Sequence, residues 1–471
     1  MHRFLVCLSI LVSASAACRG SEPATTAPIE PLPATAVAPV TSVPQSTMTE
    51  TPPAKTSTST PDPGVIHVDT LEQETYPFIE NGKCSLGEAI FAANAGASQD
   101  SCPAGAGQTL KGTTIELMPG EYHFSQRDET PPQVEWFVSV VDVGDALPPV
   151  LFPLTIRGNG AALIRDDGAE PFRFFEVMVN SKLVLENVTL QSGDVGEDWG
   201  GAIYAMSALI DLKDVHFIDN RAQNGGALYF DLSALNVQDS EFRGNHATGS
   251  GGALYIDSSK ATIRSTSFEA NTSDGDGAGL YADFVTLIMH DAFFLQNRVT
   301  GEQYGSRGGG MYLNHVNVTV TESQFYQNEA PMYGGAISVN NPQLAGIDPE
   351  DGDPIEQLQE SPMITDMMTS IPGFQATLEA HPSGIYVDFQ EDAQIHNNCF
   401  ANNITINPQD PNWTSGLLGR ASVADGNYWG HASGPSGMGP GTGDSVGKRL
   451  IFEPFLTTVP DFCDAALAEQ Q

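Results

Sequence analysis

The chain has 471 residues, with 58 acidic against 20 basic side chains and a formal net charge of −38. That balance excludes a nucleic-acid partner, which needs a basic footprint, and it disfavours adsorption to an anionic membrane face. It implies a soluble, self-repelling surface.

His2 and Arg3 precede an apolar stretch, Phe4 to Val12, that is too short to span a bilayer. Residues 1–17 therefore read as a targeting segment. Ala14-Ser15-Ala16 is an A-x-A cleavage site for ordinary secretion, whereas Ser15-Ala16-Ala17-Cys18 resembles a bacterial lipobox. Cysteine parity favours the second. Beyond the signal stand Cys18, Cys84, Cys102, Cys399 and Cys463, and an odd set leaves a free thiol in an oxidising compartment. Lipidating Cys18 leaves four, which pair as Cys84–Cys102 and Cys399–Cys463. The first loop would add about 3 kcal/mol in the chain-entropy model. Residues 18–64 are rich in Ser, Thr, Pro and Ala and show no apolar period, so they read as a disordered stalk. Extended, such a stalk reaches on the order of 100 Å.

Residues 65–110 read as an N-terminal cap carrying Cys84 and Cys102. Short apolar, strand-like runs then follow at Thr114-Ile115-Glu116-Leu117, Phe152 to Gly158 and Leu183 to Leu190. From residue 200 a phrase recurs. Gly200-Gly201-Ala202-Ile203-Tyr204 returns at Gly225, Gly251, Gly277, Gly308 and Gly334, in steps of 25, 26, 26, 31 and 26 residues. A second phrase, Phe-x-x-Asn, keeps step as Phe217/Asn220, Phe242/Asn245, Phe268/Asn271, Phe294/Asn297 and Phe325/Asn328. A fixed period in this range marks a stacked repeat. Each unit holds about three short period-2 runs punctuated by Gly, Asp and Asn, with no room for a crossover helix. That describes one coil of a β-solenoid, with equivalent strands about 4.8 Å apart.

The stack assigns structural work to the recurring residues. The five phenylalanines form an aromatic ladder, each contributing roughly 1.5–3 kcal/mol by burial. The asparagines sit at a turn, where Asn tolerates a left-handed backbone and bonds its neighbour up the stack. Gly384-Ile385-Tyr386-Val387 and Phe400/Asn403 repeat the signature after an acidic, Met-rich insertion at about residues 341–383. Residues 111–426 thus read as the solenoid, of about 10–12 rungs, and 427–471 as its closing segment.

Cys84-Ser85-Leu86-Gly87-Glu88-Ala89-Ile90 with Ala92-Ala93-Asn94 resembles the CSLREA-type segment that heads many secreted bacterial β-helix proteins, with Gly87 where that motif usually carries Arg. The Gly-Gly-Ala-Ile and Phe-x-x-Asn phrases are similar to those of polymorphic outer-membrane proteins. Asn427-Tyr428-Trp429-Gly430 with Gly434-Pro435 resembles the closing segment of such helices. The resemblance covers roughly residues 65–457. It implies an all-β, pectin-lyase-like, right-handed parallel β-helix and leaves the activity open. The autotransporter barrel of the true polymorphic proteins is not seen.

No residue is assigned a catalytic or metal-binding role, and no cofactor is expected. Arg165-Asp166-Asp167-Gly168, with Arg173 nearby, is the nearest thing to paired carboxylates for acid–base work, but it also reads as ordinary turn chemistry. Asp274-Gly275-Asp276-Gly277 and Asp348, Glu350, Asp351, Asp353 and Glu356 do not fit calcium-loop spacing. His216, His246, His290 and His315 occupy different places in their coils. Trp199 and Tyr204, Tyr229, Tyr255, Tyr281 and Tyr312 form either a sugar-stacking stripe or wall packing. The expected function is a displayed, lipid-tethered, monomeric binding or adhesion module for a glycan or cell-surface protein. The alternative is a lyase or hydrolase of acidic polysaccharides.

Overall fold

A computed structural model of the chain describes residues 64–129, 144–301, 306–340, 393–405, 417–418, 422–446 and 450–468. The targeting segment, Cys18, the stalk up to residue 63 and the acidic insertion lie outside these residues.

Each regular coil carries four strands. In one coil they are Leu228–Asp231, Ala234–Gln238, Glu241–Arg243 and His246–Ala247. The next repeats them as Leu254–Asp257, Lys260–Arg264, Ser267–Glu269 and Thr272–Ser273. The fourth strand is two residues long and shows no alternation, so the sequence pattern yields only three. Equivalent strands pair in parallel and in register: Leu228 beside Leu254, Phe242 beside Phe268, His246 beside Thr272. The result is a parallel β-solenoid of about 7 turns. The larger expected rung count included partial coils. One ladder begins early, from Val65–His67 through Thr113–Glu116 to Leu154–Arg165, while the ladder of the fourth strand begins only at Arg221–Ala222.

Alternation decides what faces inward. Leu228 and Phe230 are buried, as are Leu254 and Ile256 one coil on, while Asp231 and Asp257 face outward. The paired glycines do different work. Gly225 adopts φ +61°, a conformation that glycine enters without a Cβ penalty. At Gly226 a Cβ would lie 2.1 Å from the Gly252 carbonyl oxygen, so close coil-to-coil approach demands glycine there.

Inside, Phe217, Phe242, Phe268, Phe294, Phe325 and Phe400 stack face to face. Their centroids are 4.7, 4.9, 4.5, 4.8 and 5.1 Å apart, with planes within 10° of parallel. Trp429 closes the column, 4.7 Å from Phe400. Beside it runs an amide ladder. The Nδ2 of Asn220 donates to Asn245 Oδ1 at 3.0 Å, Asn245 to Asn271 at 3.0 Å, Asn271 to Asn297 at 2.9 Å, and Asn297 to Asn328 at 2.9 Å. Each of these amides also donates to a main-chain carbonyl, that of Leu190 for Asn220 and those of Phe217, Phe242 and Phe268 for the next three. The left-handed residue is the one before each Asn: Asp219, Gly244, Ala270, Gln296 and Gln327. The asparagines thus fill the interior of the turn, and their neighbours absorb its backbone geometry. The ladder continues through Asn403 and ends on Asp444, whose Oδ2 accepts from Asn403 Nδ2 at 2.7 Å. A carboxyl oxygen accepts such bonds in either protonation state, which suits a terminus that receives the last bond of the row.

The cap at the first end holds a helix that the strand-based reading did not foresee, Leu86–Ala95. Its start was legible as a capping box, in which Ser85 and Glu88 satisfy each other's backbone N–H groups. Asn94 ties it to the Pro149 carbonyl at 2.8 Å. Cys84 is bridged to Cys102 and Cys399 to Cys463, with Cα separations of 4.9 and 6.2 Å.

Replacing Phe268 by Ala opens a gap in a column that is closed on both sides. It should cost about 3–5 kcal/mol in urea denaturation. Asn271→Ala should cost less, about 1–3 kcal/mol, by orphaning buried donors on Asn245. Burial pushes the Asp444 carboxyl up to about 7, against the bonds from Asn403 and Asn402. The folded state then holds a proton that the unfolded state has released, so stability falls as pH rises from about 4 to about 7. Asp444→Asn should flatten that decline in thermal melts, and an unchanged slope would contradict the assignment.

Candidate binding faces

Two faces of the coils carry ordered arrangements of side chains. The first is a tyrosine column on the strands that follow the paired glycines. Strand register places Tyr204, Tyr229, Tyr255, Tyr281 and Tyr312 one above another. Ring centroids are 5.6, 5.0, 4.5 and 5.4 Å apart. Trp199 stacks 4.8 Å from Tyr229. The Arg173 and Arg307 guanidiniums lie 5.1 Å from Tyr204 and 4.3 Å from Tyr312, one at each end of the column. Sugar stacking needs a free ring face, and the inner rings spend both faces on each other. Tyr229 is 7 % exposed and Tyr312 2 %. The column therefore packs along the wall. Burial pushes the hydroxyls of Tyr204 and Tyr312 up to about 12, and those of Tyr229, Tyr255 and Tyr281 further.

Two residues past Tyr229, Tyr255 and Tyr281, on the same face, Asp231, Asp257 and Asp283 stand in register. Like charges stacked at strand spacing repel. Asp283 is relieved by Asn314 Nδ2 at 2.8 Å and His315 Nδ1 at 3.1 Å, and Asp257 by the Ser258 hydroxyl at 2.9 Å. Burial, with the charge of Asp257, pushes Asp231 up to about 7. The step between these aspartates equals that of the tyrosines, so this row was readable from the repeat but went unnoticed.

At the first end of the column Arg173 is 4 % exposed and Asp198 6 %. Arg173 pairs with Asp198 and, at 3.2 Å, with Asp145. Burial outweighs the Arg173 charge and holds the Asp145 carboxyl well above its ordinary range, with Glu176 adding to the rise. Paired carboxyls beside an arginine have the makings of acid–base chemistry, but this set is closed from solvent. Sequence reasoning missed Asp145 and Asp198 because they lie 28 and 25 residues from Arg173, on different coils.

The second face is an open groove of about 560 Å³ lined by His216, Asp239, Glu241, Ser265, Ser267, Glu269, Asp291 and Phe293. Burial raises Glu241, but bonds from His216 Nδ1 and Arg243 Nε, each at 2.8 Å, outweigh it and hold the carboxyl below its ordinary range. That keeps Glu241 an acceptor and unsuited to act as a general acid.

The sequence candidates separate in space. Asp166 bonds His123 at 2.8 Å and Arg165 reaches the Ala169 and Glu170 carbonyls, while Arg173 turns to Asp145 and Asp198. The Arg165–Gly168 turn thus forms no site with Arg173. Asp276 pairs with Arg307 at 2.9 Å and Asp274 accepts from Thr300 at 2.7 Å. No group of three or more His, Cys, Asp or Glu side chains suited to a metal occurs among the described residues. His216, His246, His290 and His315 have separate partners: Glu241, Thr272, Thr321 and Asp283. The Phe and Asn ladders are interior, and no helix of the described residues is long and apolar enough to cross a membrane.

A family model for the Chlamydia polymorphic membrane protein repeat matches residues 239–257. That stretch contains Phe242, Asn245 and Gly251-Gly252. No curated protein and no solved structure matches the chain. The repeat and the solenoid support a parallel β-helix like that of the polymorphic membrane proteins. With the two disulfides, the repeat points to an extracytoplasmic protein.

A raised Asp231 binds its proton more tightly in the folded state, so it contributes instability as pH rises from about 4 to about 7. Asp231→Asn should raise the melting temperature at about pH 8 and leave it unchanged at about pH 4. A variant that shifts both melts equally would remove the electrostatic cause.

Proposed function

We propose that the protein is a displayed binding or adhesion module, tethered through lipidated Cys18 and a Pro-rich stalk, that engages a glycan or cell-surface protein as a monomer. The observation that carries this reading is how the ionisable groups on the outer faces are used. Of the carboxyls that burial has raised, Asp145 is closed from solvent beside Arg173, and Asp231 stands half-buried in the aspartate row beside the tyrosine column. In the open groove Glu241 is held ionised by His216 and Arg243. General acid–base catalysis needs an acid and a base of separated pKa in one accessible cleft. The groove offers acceptors and hydroxyls, which suits recognition. The likeness of Cys84–Asn94 to CSLREA-type heads and the parity of the cysteines support the secreted, lipid-anchored address.

The enzymatic reading keeps one specific support. Asp231 and Asp257 are adjacent carboxyls at strand spacing, both raised, and a pair about 5 Å apart is the geometry of retaining glycoside hydrolysis.

The test pairs retention with turnover. The protein is immobilised and challenged with neutral, amino and acidic glycans and with whole cells, while reducing ends and unsaturated products are followed in parallel. Saturable retention without product is the expected outcome. Product formation abolished by Asp231→Asn or Asp257→Asn would replace the binding module with a hydrolase.

A further inference from the structure

The groove exists because one coil departs from its neighbours. Strand register stacks His216, Glu241, Ser267 and Phe293 in one column. Beside it the left-handed turn residues Asp239, Ser265 and Asp291 stand one per coil. On the middle coil both columns carry serine, Ser265 and Ser267, where the flanking coils carry Asp239 with Glu241 and Asp291 with Phe293. Small side chains between large ones leave a notch two coil spacings wide, about 9.6 Å. Its volume of about 560 Å³ falls in the range of small-ligand sites.

The walls are held in place before any ligand arrives. Glu241 is braced by His216 and Arg243, and Asp291 accepts from the Ser265 hydroxyl at 2.9 Å. Hydroxyls form the floor, Phe293 is half-buried on one side, and Glu269 stands with the lining. Four carboxylates thus face one space, with His216 and Arg243 both engaged on Glu241.

We propose that this notch is the binding subsite of the module, and that it takes a saccharide bearing free amino groups, such as a glucosamine oligomer. This rests on the binding-module reading and narrows it. The ammonium groups would sit among the carboxylates, the ring hydroxyls would meet Ser265, Ser267 and the carboxylate oxygens, and an apolar sugar face would lie toward Phe293. Each residue of a uronate oligomer would instead bring a further carboxylate toward these four. The site therefore selects against acidic glycans.

The test is calorimetric titration of the full chain with the glucosamine trisaccharide, its N-acetylated form and trigalacturonate, at low salt and mildly acid pH. Two controls are Glu241→Gln and Ser267→Trp, which fills the notch from outside without touching the Phe or Asn ladders. A melt establishes that each variant is folded. The expected result is saturable binding of the glucosamine trisaccharide, roughly tenfold weaker in Glu241→Gln, lost in Ser267→Trp and reversed by salt, with trigalacturonate silent. Absence of glucosamine binding, equal binding of trigalacturonate, or affinity untouched by Ser267→Trp overturns the subsite. Retention of cells or another glycan by the Ser267→Trp variant would overturn the notch while leaving a binding module. Loss of all retention by the unaltered chain would overturn both.

Discussion

In-register pairing between coils is the constraint from which the rest follows. Once Leu228 lies beside Leu254 and Phe242 beside Phe268, every position meets its own equivalent one strand spacing away. A residue is then chosen less for what it is than for how it stacks on a copy of itself. Phenylalanine and asparagine suit this rule. Flat rings stack face to face at 4.5–4.9 Å, and an amide carries the donors and acceptor needed to bond above and below.

The same rule is costly for charge. Aspartate stacked on aspartate has no partner in the column, so the fold relieves it from the side or lets it keep its proton. Asp283 is served by His315 and Asn314, Asp257 by Ser258, and Asp231 is left to titrate near neutrality. The tyrosine column shows a related compromise, with an arginine over each terminal ring and each arginine bonded to an aspartate. The proposed binding notch sits at one of the departures from self-stacking. The serine coil between two acidic ones is the clearest, since a column of unlike residues cannot fill its own surface evenly.

Much of this was legible in the sequence. The step between Gly200, Gly225 and Gly251, and between Phe217, Phe242 and Phe268, identifies coils, strands and the inward face. The fourth strand stayed hidden because His246–Ala247 is too short to show a period. The left-handed backbone was assigned to the ladder asparagines, whereas it belongs to Asp219, Ala270 and their equivalents, because a turn signal locates a turn only to within a residue. The groove was harder still. Ser265 and Ser267 read as ordinary polar positions, and only the register that sets them between Asp239 and Asp291 makes them a depression. The Arg173–Asp145–Asp198 set was invisible for the same reason: its members meet only through coil stacking.

The amide ladder has a direction. The amide-to-amide bonds all run toward the C-terminal end, and Asp444 receives the last of them. A solenoid with open ends presents unpaired strands that invite another molecule to continue the stack. Asp444 has no amide to carry the ladder further, and the helix Leu86–Ala95 belongs to the cap segment that precedes the regular coils. The row of amides that holds the coils together is therefore finite, closing on a carboxyl of its own chain.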